Sequence, residues 1–160
     1  DGLSRSESHL ILWRISNHAD LSGSGGLLHS GRWHSRGRPV VYLAESPAGA
    51  LVEALVHVQA TCAAELPKHY QLLEIALPDD VLGDDVSPKL GRTWRDEPAI
   101  TRALGDAWLA AQGSLLLRVP SAVVGRSFNR LFNPQHAQAA SAKIKSVARY
   151  PFDDRLLRPS

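Results

Sequence analysis

Arg32 and Glu53 are the charged side chains whose surroundings best suit chemistry, Arg32 as a partner for an anionic ligand and Glu53 as a carboxylate. Arg32 stands in GSGGLLHSGRWHSRG, residues 23 to 37. There Gly23, Gly25, Gly26 and Gly31 permit positive φ and close backbone approach, and a guanidinium offers a planar fork of donors to phosphate or carboxylate. Glycine and serine are common in any loop. A spacer, however, seldom embeds Leu27, Leu28 and Trp33, whose burial is expected to anchor the stretch, so we read a ligand loop. Glu53 lies in SPAGALVEALVHVQA. Helical spacing puts it on one face with Gly49, Ala50, His57 and Ala60, opposite an expected core stripe of Leu51, Leu55 and Val58. Two readings stand there: a solvated Glu-His pair worth roughly 0.3 kcal/mol, or a carboxylate facing a cavity.

Tyr42 runs along a strand into that helix. A strand tyrosine is ordinarily core or sheet surface, but beside Arg32 and Glu53 it could stack on a planar ring. Ser121 follows the strand-breaking Pro120 in VPSAVV, where serines usually bond local backbone. No Gly-x-Ser-x-Gly elbow surrounds it and nothing marks a His and Asp as partners, which argues against a serine hydrolase. The seven histidines lack metal-ligand spacing, so no zinc site is expected, and His57 and His136 read as surface or hydrogen-bonded groups.

The elements that must position these residues follow from pattern. HLILWRIS (9–16), PVVYLAES (39–46), HYQLLEIALP (69–78), SLLLRVP (114–120) and SAKIKSVARYPF (141–152) read as strands, with Lys143 and Lys145 toward solvent. Ser46 as N-cap and Pro47 at the first turn open a helix over 46–60. A second helix is expected over 97–113, with Ile100, Leu104 and Trp108 at helical spacing and Gly113 as its stop. The stretches 79–98 and 125–138 read as loops, the first holding at most a turn of helix, both rich in turn residues. Strands and helices mixed without regular alternation argue for an α+β domain with mixed or antiparallel strands and peripheral helices, spanning 1–160 with residues 1–8 as a flexible extension.

Composition narrows the class. With 44% hydrophobic and 21% charged residues the chain can build one core. A net charge of +2 is no basic footprint for nucleic acid. The single Cys62 excludes an internal disulfide and fits a cytoplasmic protein. No apolar run approaches a membrane span, and no signal peptide is visible. As the sequence contains no Met, its N-terminus is expected to be processed or trimmed.

LWRI, then GRWHSRGRPVVYLAESPAGALVEAL, then VPSAVV and FNPQHA together resemble the RES-domain toxins of bacterial RES-Xre toxin-antitoxin pairs. The likeness runs from about Leu12 to the FDDRL near the end, and its most specific block is Gly31 to Leu55. It departs from the family pattern at His34 and Ser35, where an Asn-Pro type turn is typical. The resemblance implies an ADP-ribosyltransferase-like fold and an activity that consumes NAD+ and halts growth. It places the family's Arg, Glu and Ser at Arg32, Glu53 and Ser121, and an Arg, Tyr and Glu around nicotinamide at Arg32, Tyr42 and Glu53. Catalysis would fall to Glu53, Arg32 and Tyr42, while Arg14, Gly31, Arg32, Tyr42, Ser46 and Ser121 would bind NAD+. The implied partners are an Xre-type antitoxin that plugs the pocket and a host metabolic enzyme as ADP-ribose acceptor, with no direct nucleic-acid or membrane contact. Phosphate or water are the other implied acceptors.

Two rivals remain from the residues themselves. A ribonuclease would use His57 with Glu53 as acid and base and Arg32 on phosphate, although the chain lacks a basic, aromatic-lined pattern. A nucleotide-binding or partner-binding domain would leave Glu53 a mere surface group.

Overall fold

Short runs of branched and aromatic residues bounded by Gly, Pro and Asn lay down the strands. A computed structural model gives the structure of residues 9–61 and 67–157, without the side chains of 58–61 and 157. Five strands fall where the pattern put them: β1 (His9–Ile15), β2 (Val41–Ala44), β3 (His69–Pro78), β5 (Leu116–Pro120) and β7 (Lys143–Pro151). Two more, β4 (Gly83–Asp85) and β6 (Phe128–Phe132), occupy stretches read from sequence as loops. The seven form one sheet in the order β4-β5-β6-β2-β1-β3-β7. Among the described residues only β4 and β5 pair in parallel, and the other neighbours are antiparallel.

Both missed strands have a physical reason. FNRLF is too short to display a period, but β6 is hydrogen-bonded on both sides, to β5 and to β2, and these ladders supply what local pattern lacks. GDD has no strand propensity at all and forms β4 by pairing with Leu116–Arg118.

Alternation along the central strands buries both faces of the sheet. Val41 and Leu43 of β2 join Leu12, Leu73, Ile75 and Phe132 in one cluster. Tyr42 contacts the other, made of Trp33, Trp108, Leu117, Val119 and Leu131 with Val40, Val86 and Leu109.

Helix α2 (Pro47–Thr61) packs on β1 and β2. Ser46 caps it as expected, its Oγ accepting the Gly49 N–H at 3.0 Å. Its buried contact is Ala50, with Leu51 and Leu55 only half-buried, so the expected stripe is rotated. The helix lies close to β2: a methyl on Gly49 would come to 3.6 Å from the Ala44 side chain, an ordinary contact, and to 3.2 Å from the capping Ser46 Oγ. Helix α3 (Pro98–Ala111) keeps part of its expected stripe: Trp108 is buried and Leu104 packs against the core, but Ile100 is exposed, and Thr101, Gly105 and Leu109 also face inward. Its stop is Gln112 in the left-handed region at φ 53°, one residue before the expected Gly113. Val58, Ala60, Cys62 and the extension 1–8 lie outside the described side chains. Among the described residues no helix is long and apolar enough to cross a membrane, and no His, Cys, Asp or Glu cluster could hold a metal ion.

Candidate active site

The glycine-rich stretch is folded rather than loose, though not as expected. Gly23 at φ 72° turns the chain into a one-turn helix, α1 (Ser24–Leu28), and Gly31 bridges His34. Leu27 and Leu28 are exposed, so they do not anchor it; the buried residues are Gly23, Gly26, Trp33 and His34. A methyl on Gly26 would overlap the Arg38 carbonyl, and one on Gly31 the Tyr42 hydroxyl, so both positions admit only glycine without rearrangement.

Helix α3 holds residues 31–35 in place. Thr101 Oγ1 donates to the Arg32 carbonyl at 2.6 Å, and Arg102 Nε to the Gly31 carbonyl at 2.9 Å. Asp106 accepts the Ser35 N–H at 2.8 Å, and Gly105 lies against the Trp33 backbone. Arg32 itself donates from Nη1 to the Arg95 carbonyl at 2.8 Å, which fixes the arm while other guanidinium donors remain.

From the sheet side, the Tyr42 hydroxyl accepts the Trp33 N–H at 3.2 Å and lies 2.7 Å from His34 Nδ1. His34 Nε2 is 2.9 Å from the His29 carbonyl, which can only accept. The ring hydrogen is therefore on Nε2, Nδ1 is the acceptor, and Tyr42 donates to it. Burial pushes the Tyr42 phenol up and the His34 imidazole down, the second against the opposing pull of the His29 and Gly26 carbonyls. Both shifts favour the neutral forms, in keeping with that hydrogen bond.

A lowered imidazole pKa makes stability pH-dependent with a defined sign. The unfolded chain takes up the proton first, so the contribution is complete above the ordinary value of 6.5 and is lost as pH falls from there through the lowered value of the folded state. The wild-type melting temperature should drop between pH 7 and pH 5. A His34→Gln variant, less stable at pH 7, should lose less over that interval, and parallel curves for the two proteins would exclude His34 as the source.

Glu53 is half-buried and held from β5 and β6. Its Oε1 accepts Ser121 Oγ–H at 2.8 Å and Asn129 Nδ2–H at 3.1 Å. Ser121 is buried, and its oxygen in turn accepts the N–H groups of Val123 and Val124 at 3.1 Å each. Two backbone dipoles are thus relayed through one hydroxyl onto the carboxylate. Beneath it, Glu45 at the end of β2 accepts Arg118 Nε at 3.1 Å and Arg130 Nε at 2.8 Å. Partial burial pushes this carboxyl up, but the hydrogen bonds from Arg118 and Arg130 outweigh it and hold it below the usual range. The cluster ties together the strands that deliver Ser121 and Asn129.

These pieces surround one cavity of about 770 Å³, lined by Gly31, Arg32, Tyr42, Glu53, His57 and Asn129 among others. That volume lies in the upper part of the range for small-molecule sites. Arg14 lines it from β1 and donates to the Asp20 carbonyl at 2.7 Å; burial lowers its pKa. Two expected ligand contacts sit elsewhere. Ser46 is the exposed cap of α2, outside the lining, and Ser121 stands behind Glu53 with its hydroxyl bonded to the carboxylate.

Sequence reasoning passed over Asn129, His34, Thr101 and Arg102. Asn129 had a signal, since in a strand over 128–132 it shares the face of Leu131, but that strand was not read. His34 stood out only as a departure from a family pattern, and here it is the buried link between loop and sheet.

Residues 11–153 match the RES domain family. Over 147 residues the chain is 50% identical to a Pseudomonas putida protein named Toxin Res, covering 92% of this chain and 99% of that one. Over 157 residues it is 36% identical to the Prs ADP-ribosylating toxin of a Sphingobium species, covering 91% and 96%. Its fold is that of a chain in the crystal structure of the M. tuberculosis MbcT-MbcA toxin-antitoxin complex, with TM-score 0.69 at 21% identity over 94% of this chain and 88% of the other.

Proposed function

The chain belongs to the RES domain family, and from that premise we propose that it is the toxin of a toxin-antitoxin pair which cleaves the nicotinamide-ribose bond of NAD+ and passes ADP-ribose to an acceptor. The observation that carries this reading is the carboxylate of Glu53, fixed by Ser121 and Asn129 over a cavity that also holds Tyr42 and Arg32. One relative's name supports ADP-ribosylation, and the solved complex of a structural neighbour supports an antitoxin partner.

The chemistry fits the residues. As the N-glycosidic bond breaks, its electron pair leaves with nicotinamide, which departs neutral, and positive charge develops on the ribose. A fixed carboxylate stabilises that charge without reorganising, and Glu53 has Oε2 to offer while Oε1 stays with Ser121 and Asn129. Arg32, at the mouth of the α3-clamped loop, pairs with pyrophosphate or ribose. The Tyr42 ring offers a wall for nicotinamide. The acceptor then attacks the ribose carbon and gives up its proton. Ser121 is a positioning residue in this scheme. Ser121→Ala should lower kcat about tenfold while leaving the KM for NAD+ near the wild-type value, since it loosens the carboxylate and touches no ligand. A changed KM with unchanged kcat would assign it to binding instead.

An Xre-type antitoxin that covers the cavity, and a host metabolic enzyme as acceptor, belong to the same reading. Mass spectrometry of the protein incubated with NAD+, with and without phosphate and cell lysate, tests it. Release of nicotinamide is expected, and the product, on protein, phosphate or water, names the acceptor. Intact NAD+ under every condition would overturn the assignment and return the ribonuclease and binding-domain readings.

A further inference from the structure

The same cavity extends well past the residues that the proposed chemistry uses. Its lining continues from β5 and β6 across β2 and β1 to β3, where Tyr70 and Phe152 form its far wall. Three inter-strand steps separate β6, whose Asn129 holds Glu53, from β3, roughly 14 Å at the usual strand spacing. Glu53 is anchored at the β5 and β6 end, through Ser121 and Asn129. An extended dinucleotide has about that reach.

At the far end the two half-buried rings meet at 4.9 Å between centroids, tilted by 53°, and Tyr150 backs Tyr70 at 5.9 Å. The register explains why they face the groove. Trp13 lies opposite Glu74, and Ile15 opposite Leu72, so alternation brings Tyr70 to the same face as those residues of β1. Phe152 reaches it because its N–H bonds the Lys68 carbonyl at 3.0 Å, which continues the β3 and β7 ladder past Pro151. Rings braced by other rings lose little freedom when a third stacks on them.

Resting on the NAD+ reading above, we propose that Tyr70 and Phe152 form the subsite for the adenine of the dinucleotide. The bond to be cut must lie against Glu53, and so must any acceptor that attacks the ribose carbon. What occupies the opposite end of the groove is therefore the remote part of the same ligand, and the remote planar group of NAD+ is its purine. Aromatic stacking suits it, as every base presents a π-face. Binding energy gathered there is felt equally before and during the reaction, so it sets the KM for the whole dinucleotide.

The test compares NAD+ with nicotinamide mononucleotide, which carries the same scissile bond and no adenine, in the wild type and in Tyr70→Leu, Phe152→Leu and Tyr70→Phe. The leucine variants should raise the KM for NAD+ about tenfold with kcat little changed, and should treat the mononucleotide as the wild type does. Tyr70→Phe keeps the ring and should keep the wild-type KM. Unchanged NAD+ parameters in both leucine variants would overturn the subsite while the NAD+ reading stands. An equal loss on both substrates would overturn it too, because it would mark a structural role. A wild type that leaves NAD+ intact would remove the reading and the subsite together.

Discussion

Glu53→Gln should fold as the wild type does and release nicotinamide from NAD+ about a hundredfold more slowly or worse. The amide is nearly the same shape as the carboxylate, and its oxygen can still accept from Ser121 Oγ and from Asn129 Nδ2. No buried donor is orphaned, so the melting temperature should hold. What disappears is the negative charge that the proposed mechanism sets against the ribose. Removing one preorganised electrostatic stabiliser typically costs two to three orders of magnitude in kcat. Steady-state nicotinamide release and a thermal melt of the same preparation check both halves. Undiminished turnover in a folded variant would take Glu53 out of the chemistry and with it the central claim about the cavity.

Gly105→Ala is expected to be the most damaging single methyl in the described chain. The added carbon would overlap the Trp33 carbonyl oxygen, and that is backbone held on both sides by other bonds, not the movable end of a side chain. Thr101 and Arg102 grip the carbonyls of Arg32 and Gly31, so α3 cannot back away without dropping the loop. Overpacking of a site that cannot yield costs about 3 kcal/mol, or roughly 6–12 °C in melting temperature for a domain of this size. Arg32 should move with the loop, so KM for NAD+ should rise in what remains folded. Gly113→Ala is the control: it lies just past the same helix, has nothing near its Cβ direction, and should be close to neutral. Equal behaviour of the two variants would show that α3 does not clamp the loop through Gly105.

Much of this architecture was legible because it is local. Five strands and both long helices are announced by apolar runs and by Ser46, Pro47 and the turn residues around them. The helix faces were legible only in part, through Trp108 and Leu104. Leu51, Leu55 and Ile100 are the larger apolar residues and draw the eye as core, yet the structure buries Ala50, Thr101 and Gly105. Close packing of backbone on backbone selects small residues, and a hydrophobic count ranks them low. The same bias made Leu27 and Leu28 look like anchors when Gly23 and Gly26 are the buried members of that stretch.

By itself, then, the sequence determined the α+β class, the closeness of Arg32, Tyr42 and Glu53 along the chain, and through the block from Gly31 to Leu55 the family. Only the tertiary structure decided what each of these side chains is held by. Ser121 and Asn129 come 68 and 76 residues after Glu53, and they reach it because β6 pairs between β5 and β2. Thr101 and Arg102 come 69 and 71 residues after the loop atoms they hold. Hydrogen bonds across such separations are set by strand order and helix docking, which depend on the whole core and leave no period in the local sequence.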